Sequence, residues 1–260
     1  MKLKLFQVDA FANELFAGNP AAVVPLKEWL PDHTMQQIAM ENNLSETAFF
    51  VPDGDDFHIR WFTPLAEVIL CGHATLATAH VLFTELGFNG QIIRFRSKSG
   101  SLTVERKGEL LELNFPADFV KEAVLPESVA VGMKIKPLEV YKGKTDYLLV
   151  YSSEEAIKNL TPDYSLLKTA EARGIIATAA GETVDFVSRF FAPTVGIDED
   201  PVTGSAHTLL APFWANRLQK KTMTALQLSK RGGQLTCTLE NNRALIAGTA
   251  VTYLRGEIDM

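Results

Sequence analysis

Four side chains combine proton chemistry with a place to use it: Glu46, His73, Asp200 and Ser205. His73 and Ser205 follow Gly72 and Gly204, and each glycine opens an apolar stretch that reads as a helix. The first turn of a helix leaves backbone N–H groups unpaired and carries the positive end of the dipole. Such an end seats an anionic group such as a carboxylate. Gly72, His73, Gly204 and Ser205 are therefore candidate substrate-binding residues. Glu46 is the candidate acid/base. A carboxyl group walled in by apolar side chains can take and give a proton near neutral pH, and Phe49 and Phe50 are close enough in sequence to read as that wall. Asp200, just ahead of Gly204, is the second candidate catalytic carboxylate. His73 and Ser205 would hydrogen-bond the substrate or Asp200. Asn19, in the turn Gly18-Asn19-Pro20, is a further substrate-binding candidate. Taken singly, these residues have ordinary readings as well. Glu46 alone reads as a surface acid at a strand start, Asp200 as a turn or helix-capping residue, and Cys71 as a small buried hydrophobe.

An internal repeat ties them together. Arg60-Trp61-Phe62-Thr63-Pro64 returns as Arg189-Phe190-Phe191-Ala192-Pro193, and Gly72-His73-Ala74 as Gly204-Ser205-Ala206. Pro31-Asp32 matches Pro162-Asp163, Thr47-Ala48 matches Thr178-Ala179, and Ser97-Lys98-Ser99-Gly100 matches Ser229-Lys230-Arg231-Gly232. The order is kept at an offset of roughly 130 residues, far too long for a solenoid, so it marks a duplicated domain. The expected halves are residues 1–118 and 119–260, with the final strands free to cross back to the first half. Duplication predicts equivalent positions facing one another across a pseudo-twofold cleft. Chemistry that needs two different groups must break that symmetry. Glu46 precedes Thr47-Ala48, where the second half has Ala177. Asp200 precedes Pro201-Val202-Thr203-Gly204, and the matching stretch Val68 to Cys71 holds no acid.

The elements that must position these residues read alike in both halves. Leu3 to Val8, Ala21 to Val24, Thr47 to Val51 and Phe57 to Phe62 carry the β-branched and aromatic residues of strands between turn signals. Leu30 to Asn42 reads as an amphipathic helix opened by Pro31 and Asp32. Ala74 to Leu86 and Ala206 to Leu218 are apolar around most of their circumference, which predicts burial on nearly all sides. Pro212 is expected to kink the second of them. Further strands follow each helix. The fold class is α+β, with two pseudo-symmetric domains that each wrap strands around one buried helix.

Composition excludes several functions. A net charge of -6 and no clustered Lys or Arg argue against a nucleic-acid partner. No apolar run approaches the ~20 residues of a membrane span, and Met1 to Val8 lacks the apolar stretch of a signal peptide. Two cysteines, Cys71 and Cys237, fit a reducing cytoplasm better than a disulfide framework. No HExxH, CxxC, Walker A or GxGxxG pattern occurs, so neither a metal nor a cofactor is expected.

Val8-Asp9-Ala10-Phe11, Gly18-Asn19-Pro20-Ala21, Ser45-Glu46-Thr47-Ala48-Phe49, Phe62-Thr63-Pro64, Cys71-Gly72-His73-Ala74-Thr75 and Asp200-Pro201-Val202-Thr203-Gly204-Ser205-Ala206-His207 occur in this order. Together they resemble the PhzF-like family, the isomerase group of phenazine biosynthesis, over essentially the whole chain. The resemblance implies a diaminopimelate-epimerase-like fold, in which each domain is a curved, mainly antiparallel sheet around a central helix. It implies that Glu46 shuttles a proton during isomerisation of a small carboxylate-bearing metabolite. It also implies that His73, Asp200 and Ser205 support binding and proton placement, and that the protein is a homodimer. The related epimerases use two opposed cysteines. Here Cys71 has Thr203 as its counterpart, which disfavours a two-thiol racemase. An amino-acid racemase or epimerase of the same fold, and a ligand-binding protein without catalysis, remain the alternatives.

Overall fold

The structure, a computed structural model, describes residues 2–260. In chain order the first elements are β1 (Lys2–Ala10), β2 (Asn19–Pro25), α1 (Asp32–Asn42), β3 (Glu46–Asp53), β4 (Asp56–Phe62), β5 (Glu67–Val68), α2 (Gly72–Thr84), β6 (Ile92–Ser97), β7 (Gly100–Lys107) and β8 (Leu110–Pro116). There follow β9 (Lys121–Glu122), α3 (Glu127–Met133), β10 (Glu139–Lys142), β11 (Asp146–Val150), α4 (Glu154–Lys158), α5 (Tyr164–Leu167), β12 (Gly174–Ala180), β13 (Phe186–Ala192), β14 (Ile197–Asp200), α6 (Gly204–Leu218), β15 (Thr222–Gln227), β16 (Gly233–Glu240), β17 (Arg243–Gly248) and β18 (Ala250–Asp259). The chain forms two compact units, Met1–Asn114 with Ala247–Met260, and Phe115–Ile246.

The two units repeat one pattern of strand pairing. In the first, β1 lies antiparallel to both β18 and β2, β2 runs parallel to β3, and β3 pairs antiparallel with β4. β4 then takes β5 antiparallel and β6 parallel, and β6 leads into the β7 and β8 meander. In the second, β10 lies antiparallel to β9 and β11, β11 runs parallel to β12, and β12 pairs antiparallel with β13. β13 takes β14 antiparallel and β15 parallel, and β15 pairs with β16.

Each unit holds one helix that is apolar all round. Ala74, Leu76, Ala77, Ala79, Val81, Leu82 and Phe83 of α2 are all buried. Its alanines keep the helix thin enough for strands to approach, and its two core threonines return their hydroxyls to the helix: Thr75 Oγ1 donates to Cys71 O and Thr78 Oγ1 to Ala74 O. Neither threonine leaves a buried donor over. In α6, Trp214 stacks on Phe186 of β13 at 5.6 Å between centroids and donates its ring N–H to Thr178 Oγ1 of β12. The helix runs on through Pro212. Both helices begin at their glycines, Gly72 and Gly204, two residues earlier than the apolar pattern alone suggests. α1 is an outer helix: only Met35, Ile38 and Ala39 are buried, against Phe49 and Phe62.

Candidate active site

In the first unit, three elements bring Asn19, Glu46 and His73 together. Gly18 makes the approach of the first possible. It holds φ at +65°, and a Cβ there would sit 2.2 Å from the Ala10 carbonyl oxygen. Only glycine allows the loop after β1 to turn in so tightly. Asn19 then opens β2 fully buried. Glu46 opens β3, in register with Ala21 of β2, and His73 lies in the first turn of α2.

Asn19 Nδ2 lies 3.2 Å from His73 Nδ1, and Ser45 Oγ donates to Asn19 Oδ1 at 3.4 Å. The Ser45 contact orients the amide with its NH2 toward the ring. Cys71 Sγ also lies 3.5 Å from Nδ1. On the other side of the ring, Glu46 Oε2 sits 3.1 Å from His73 Nε2. Both of these last atoms are buried, and neither completes a hydrogen bond among the described residues, so the contact is close but out of line.

Burial, and after it the Glu46 charge, push the Cys71 thiol up to about 11. Burial acts to lower the pKa of His73, but negative charge at Cys71 and Glu46 outweighs it and holds the ring well above its ordinary value. The Asn19 amide N–H favours a neutral ring with its proton on Nε2, whereas Glu46 favours the imidazolium. In both forms Nε2 carries a proton beside the Glu46 carboxylate.

Glu46, Cys71 and His73 offer donor atoms within 4.8 Å of one another. Cys71 faces Nδ1 and Glu46 faces Nε2, however, and one ion can take the lone pair of only one ring nitrogen. The three donors do not converge on a point, so they fit a metal poorly.

The expected wall around Glu46 is different in the structure. Side chains alternate along a strand, so Phe49 points to the opposite face from Glu46, where its ring meets Phe62 in the core under α1. Phe50 shares the Glu46 face but packs edge-on against Phe57, farther along. The immediate neighbours of Glu46 are His73 and Cys71.

In the second unit, Asp200 ends β14 and Ser205 lies in the first turn of α6. Asp200 Oδ2 accepts from Thr203 Oγ1 at 2.5 Å. Thr203 is the N-cap residue of α6 but makes no side-chain cap bond. Gln227, buried at the end of β15, fastens this loop instead. Its Oε1 accepts the Thr203 N–H at 2.9 Å, and its Nε2 donates to Asp200 O at 2.7 Å and to Thr203 Oγ1 at 3.2 Å. Ser229 Oγ adds a bond to Pro201 O. Ser205 Oγ accepts from Arg173 Nη1 at 2.9 Å. Gln227 and Arg173 were not legible as site residues. Gln227 is far from Thr203 in sequence and Arg173 far from Ser205, and no local spacing reveals either pairing.

The model of the phenazine biosynthesis-like protein family matches residues 8–256. A Pseudomonas aeruginosa protein named as an uncharacterized isomerase is 52% identical over 259 residues, covering 99% of each chain. The crystal structure of a PhzF-family protein from Enterococcus faecalis matches with a TM-score of 0.98 and 47% identity over 100% of both chains. A hydroxyproline epimerase from Agrobacterium vitis, with trans-4-hydroxy-L-proline bound, shares the fold at a TM-score of 0.68, with 11% identity over 99% of this chain and 92% of that one. The fold is therefore the α+β architecture of the diaminopimelate-epimerase-like epimerases and racemases, and the chain is an isomerase. It belongs to the phenazine biosynthesis-like, or PhzF, family. No helix among the described residues is long and apolar enough to cross a membrane.

Proposed function

We propose that this isomerase moves a proton between two positions of a small carboxylate-bearing metabolite, with Glu46 as the acid/base. The observation that carries the reading is the Glu46–His73 pair. A carboxylate oxygen without a hydrogen bond among the described residues lies 3.1 Å from a ring nitrogen whose other side is held by Asn19. Glu46 as carboxylate takes a proton from substrate carbon. The electron pair of that C–H bond shifts into the adjacent unsaturated system, and the resulting carboxylic acid returns the proton to another carbon. His73 Nε2–H lies beside the Glu46 carboxyl group and positions it through both steps. The N–H groups of the first turn of α2, around Gly72 and His73, favour the negative charge that develops on the substrate. Asp200, Gly204 and Ser205 are assigned to substrate binding and proton placement.

A racemase with two opposed bases is the second reading, suggested by the epimerase fold. It is disfavoured by Thr203, which stands where a second thiol would be needed and whose hydroxyl is committed to Asp200 and Gln227. The test is incorporation of solvent deuterium into members of a panel of amino- and hydroxycarboxylic acids, saturated and unsaturated. Wild-type protein should label a substrate, and Glu46→Gln should not. Chiral analysis of the product separates isomerisation from racemisation, and near-normal labelling by Glu46→Gln removes the mechanism. The reading also includes a cytoplasmic homodimer that works without a cofactor; a monomer mass by light scattering at micromolar concentration counts against the dimer.

A further inference from the structure

Arg173, which has no part in the proton transfer proposed above, closes a cluster at the start of α6. Its Nε donates to Asp146 Oδ1 at 2.9 Å, its Nη2 donates to Asp146 Oδ2, and its Nη1 donates to Ser205 Oγ at 2.9 Å. The guanidinium carbon lies 5.2 Å from the centre of the Phe190 ring. A planar group that is always charged, forked onto one carboxylate and laid on a ring, has little freedom left. The surroundings are built for this pose. Gly174 has no Cβ, and one placed there would come within 2.3 Å of the Phe190 ring that supports Arg173. The Arg173 N–H donates to Thr145 O, and its carbonyl accepts from Thr194 Oγ1 at 2.7 Å.

A serine hydroxyl has one proton and two acceptor sites, whereas a guanidinium has donors only. Ser205 Oγ therefore accepts from Arg173, and its own proton is turned away from the guanidinium. Accepting a charge-assisted bond also polarises the O–H and strengthens it as a donor. We infer that Arg173 is a positioning residue that locks the Ser205 hydroxyl as a hydrogen-bond donor to the carboxylate of the substrate. The inference rests on the assignment of Ser205 to substrate binding. It parallels the first unit, where Asn19 at Nδ1 leaves the Nε2–H of His73, at the equivalent position, as a donor beside Glu46.

The test is a double-mutant cycle on the labelled substrate. Arg173→Met would leave Asp146 buried without a partner, so Asp146→Asn/Arg173→Met is made as well, which removes both charges together. Each should raise KM roughly tenfold to hundredfold with a smaller change in kcat, as for loss of a hydrogen bond to a charged group. Ser205→Ala should do the same. Adding either Arg173 variant to Ser205→Ala should cost little more, because the effect passes through Ser205. Arg173→Lys keeps the charge without the fork, so it should restore thermal stability but not KM. Binding is read separately by thermal shift with the same panel of carboxylic acids, each beside its primary amide. The acids should stabilise wild-type protein, and that stabilisation should fall in the Arg173 variants, while any shift from the amides stays unchanged. Labelling with an unchanged KM in the Arg173 variants, or losses that add fully to Ser205→Ala, overturns the inference and leaves the isomerase reading intact. Arg173-dependent stabilisation by acids without any labelling overturns the isomerase reading instead. Wild-type protein that neither labels any acid nor is stabilised by one takes both down.

Discussion

The starts of α2 and α6 occupy equivalent places in the two units and are held in different ways. α2 is entered from an open loop: Leu65 is 84% exposed and Ile69 66%. Its first polar residue, His73, is fixed by side chains from β2 and β3. α6 is entered from a closed loop, fastened by Gln227 and Ser229, with Val202 fully buried. Its first polar residue, Ser205, is fixed by an arginine that precedes β12. What the two starts share lies underneath. Both open with glycine, and both carry a polar side chain at the next-turn position that bonds the carbonyl of the capping residue: Thr75 to Cys71 O and His207 to Thr203 O. Contacts that hold the scaffold are repeated, and the groups suited to chemistry differ.

The largest expected effect tests that division directly. Glu46 has Ala177 as its counterpart in the repeat, so the scaffold does not need an acid there. Glu46→Gln should lower turnover by roughly 10²–10⁴-fold while the thermal midpoint stays near that of wild type. A variant that unfolds more readily and loses activity in proportion would make Glu46 a scaffold residue and break the comparison.

A scaffold pair sharpens it. Arg60 and Arg189 each fork onto a glutamate, Glu67 and Glu199, and each lies over an aromatic ring two residues on, Phe62 and Phe191. The remaining contacts differ. Arg60 reaches Asp32, whose side chain is 76% exposed, whereas Arg189 donates to the buried Ile157 and Leu160 carbonyls at 3.1 and 2.7 Å. Arg189→Met should cost about 3–5 kcal/mol in urea unfolding, as expected when one partner of a buried ion pair is removed. Arg60→Met leaves an equally buried glutamate but no buried carbonyls, so it should cost less by the roughly 1–3 kcal/mol of those contacts. Equal losses would mean that the carbonyl contacts add nothing.

Much of this was readable in advance. The repeat could be found because glycine starts, all-round apolar helices and the Arg60 and Arg189 motifs leave local patterns. The α+β class and the family followed from the same stretches. The repeated arginine motif does not reveal that Arg189 pins a loop through backbone carbonyls while Arg60 Nη1 goes to Asp32. The Phe49 wall failed because strand alternation, not nearness in sequence, decides which side chains share a face. Arg173 and Gln227 stayed hidden because their partners are brought close by strand pairing and not by spacing along the chain.

The smallest expected effect concerns the shared position beneath the two helix starts. Thr75 and His207 make the same backbone bond, but only His207 titrates. Burial pushes its pKa down to about 4, only partly opposed by the bond to Thr203 O. A histidine held below its ordinary value is neutral in the folded protein while the unfolded chain takes up a proton. Between the ordinary value and the folded one, the unfolded state thus binds more protons, and stability falls as pH falls. From about pH 6.5 down to about pH 4 this ring should remove about 3 kcal/mol, and below that its contribution levels off. His207→Thr installs the residue of the first unit, which can keep the backbone bond and cannot titrate. The smaller side chain leaves a cavity whose cost does not depend on pH, so the informative quantity is the slope. In urea unfolding across this range, the stability gap between wild type and His207→Thr should close by about 3 kcal/mol toward the acid end. Parallel curves would show that the buried ring carries no such penalty, and that the two helix starts differ in shape alone at this position.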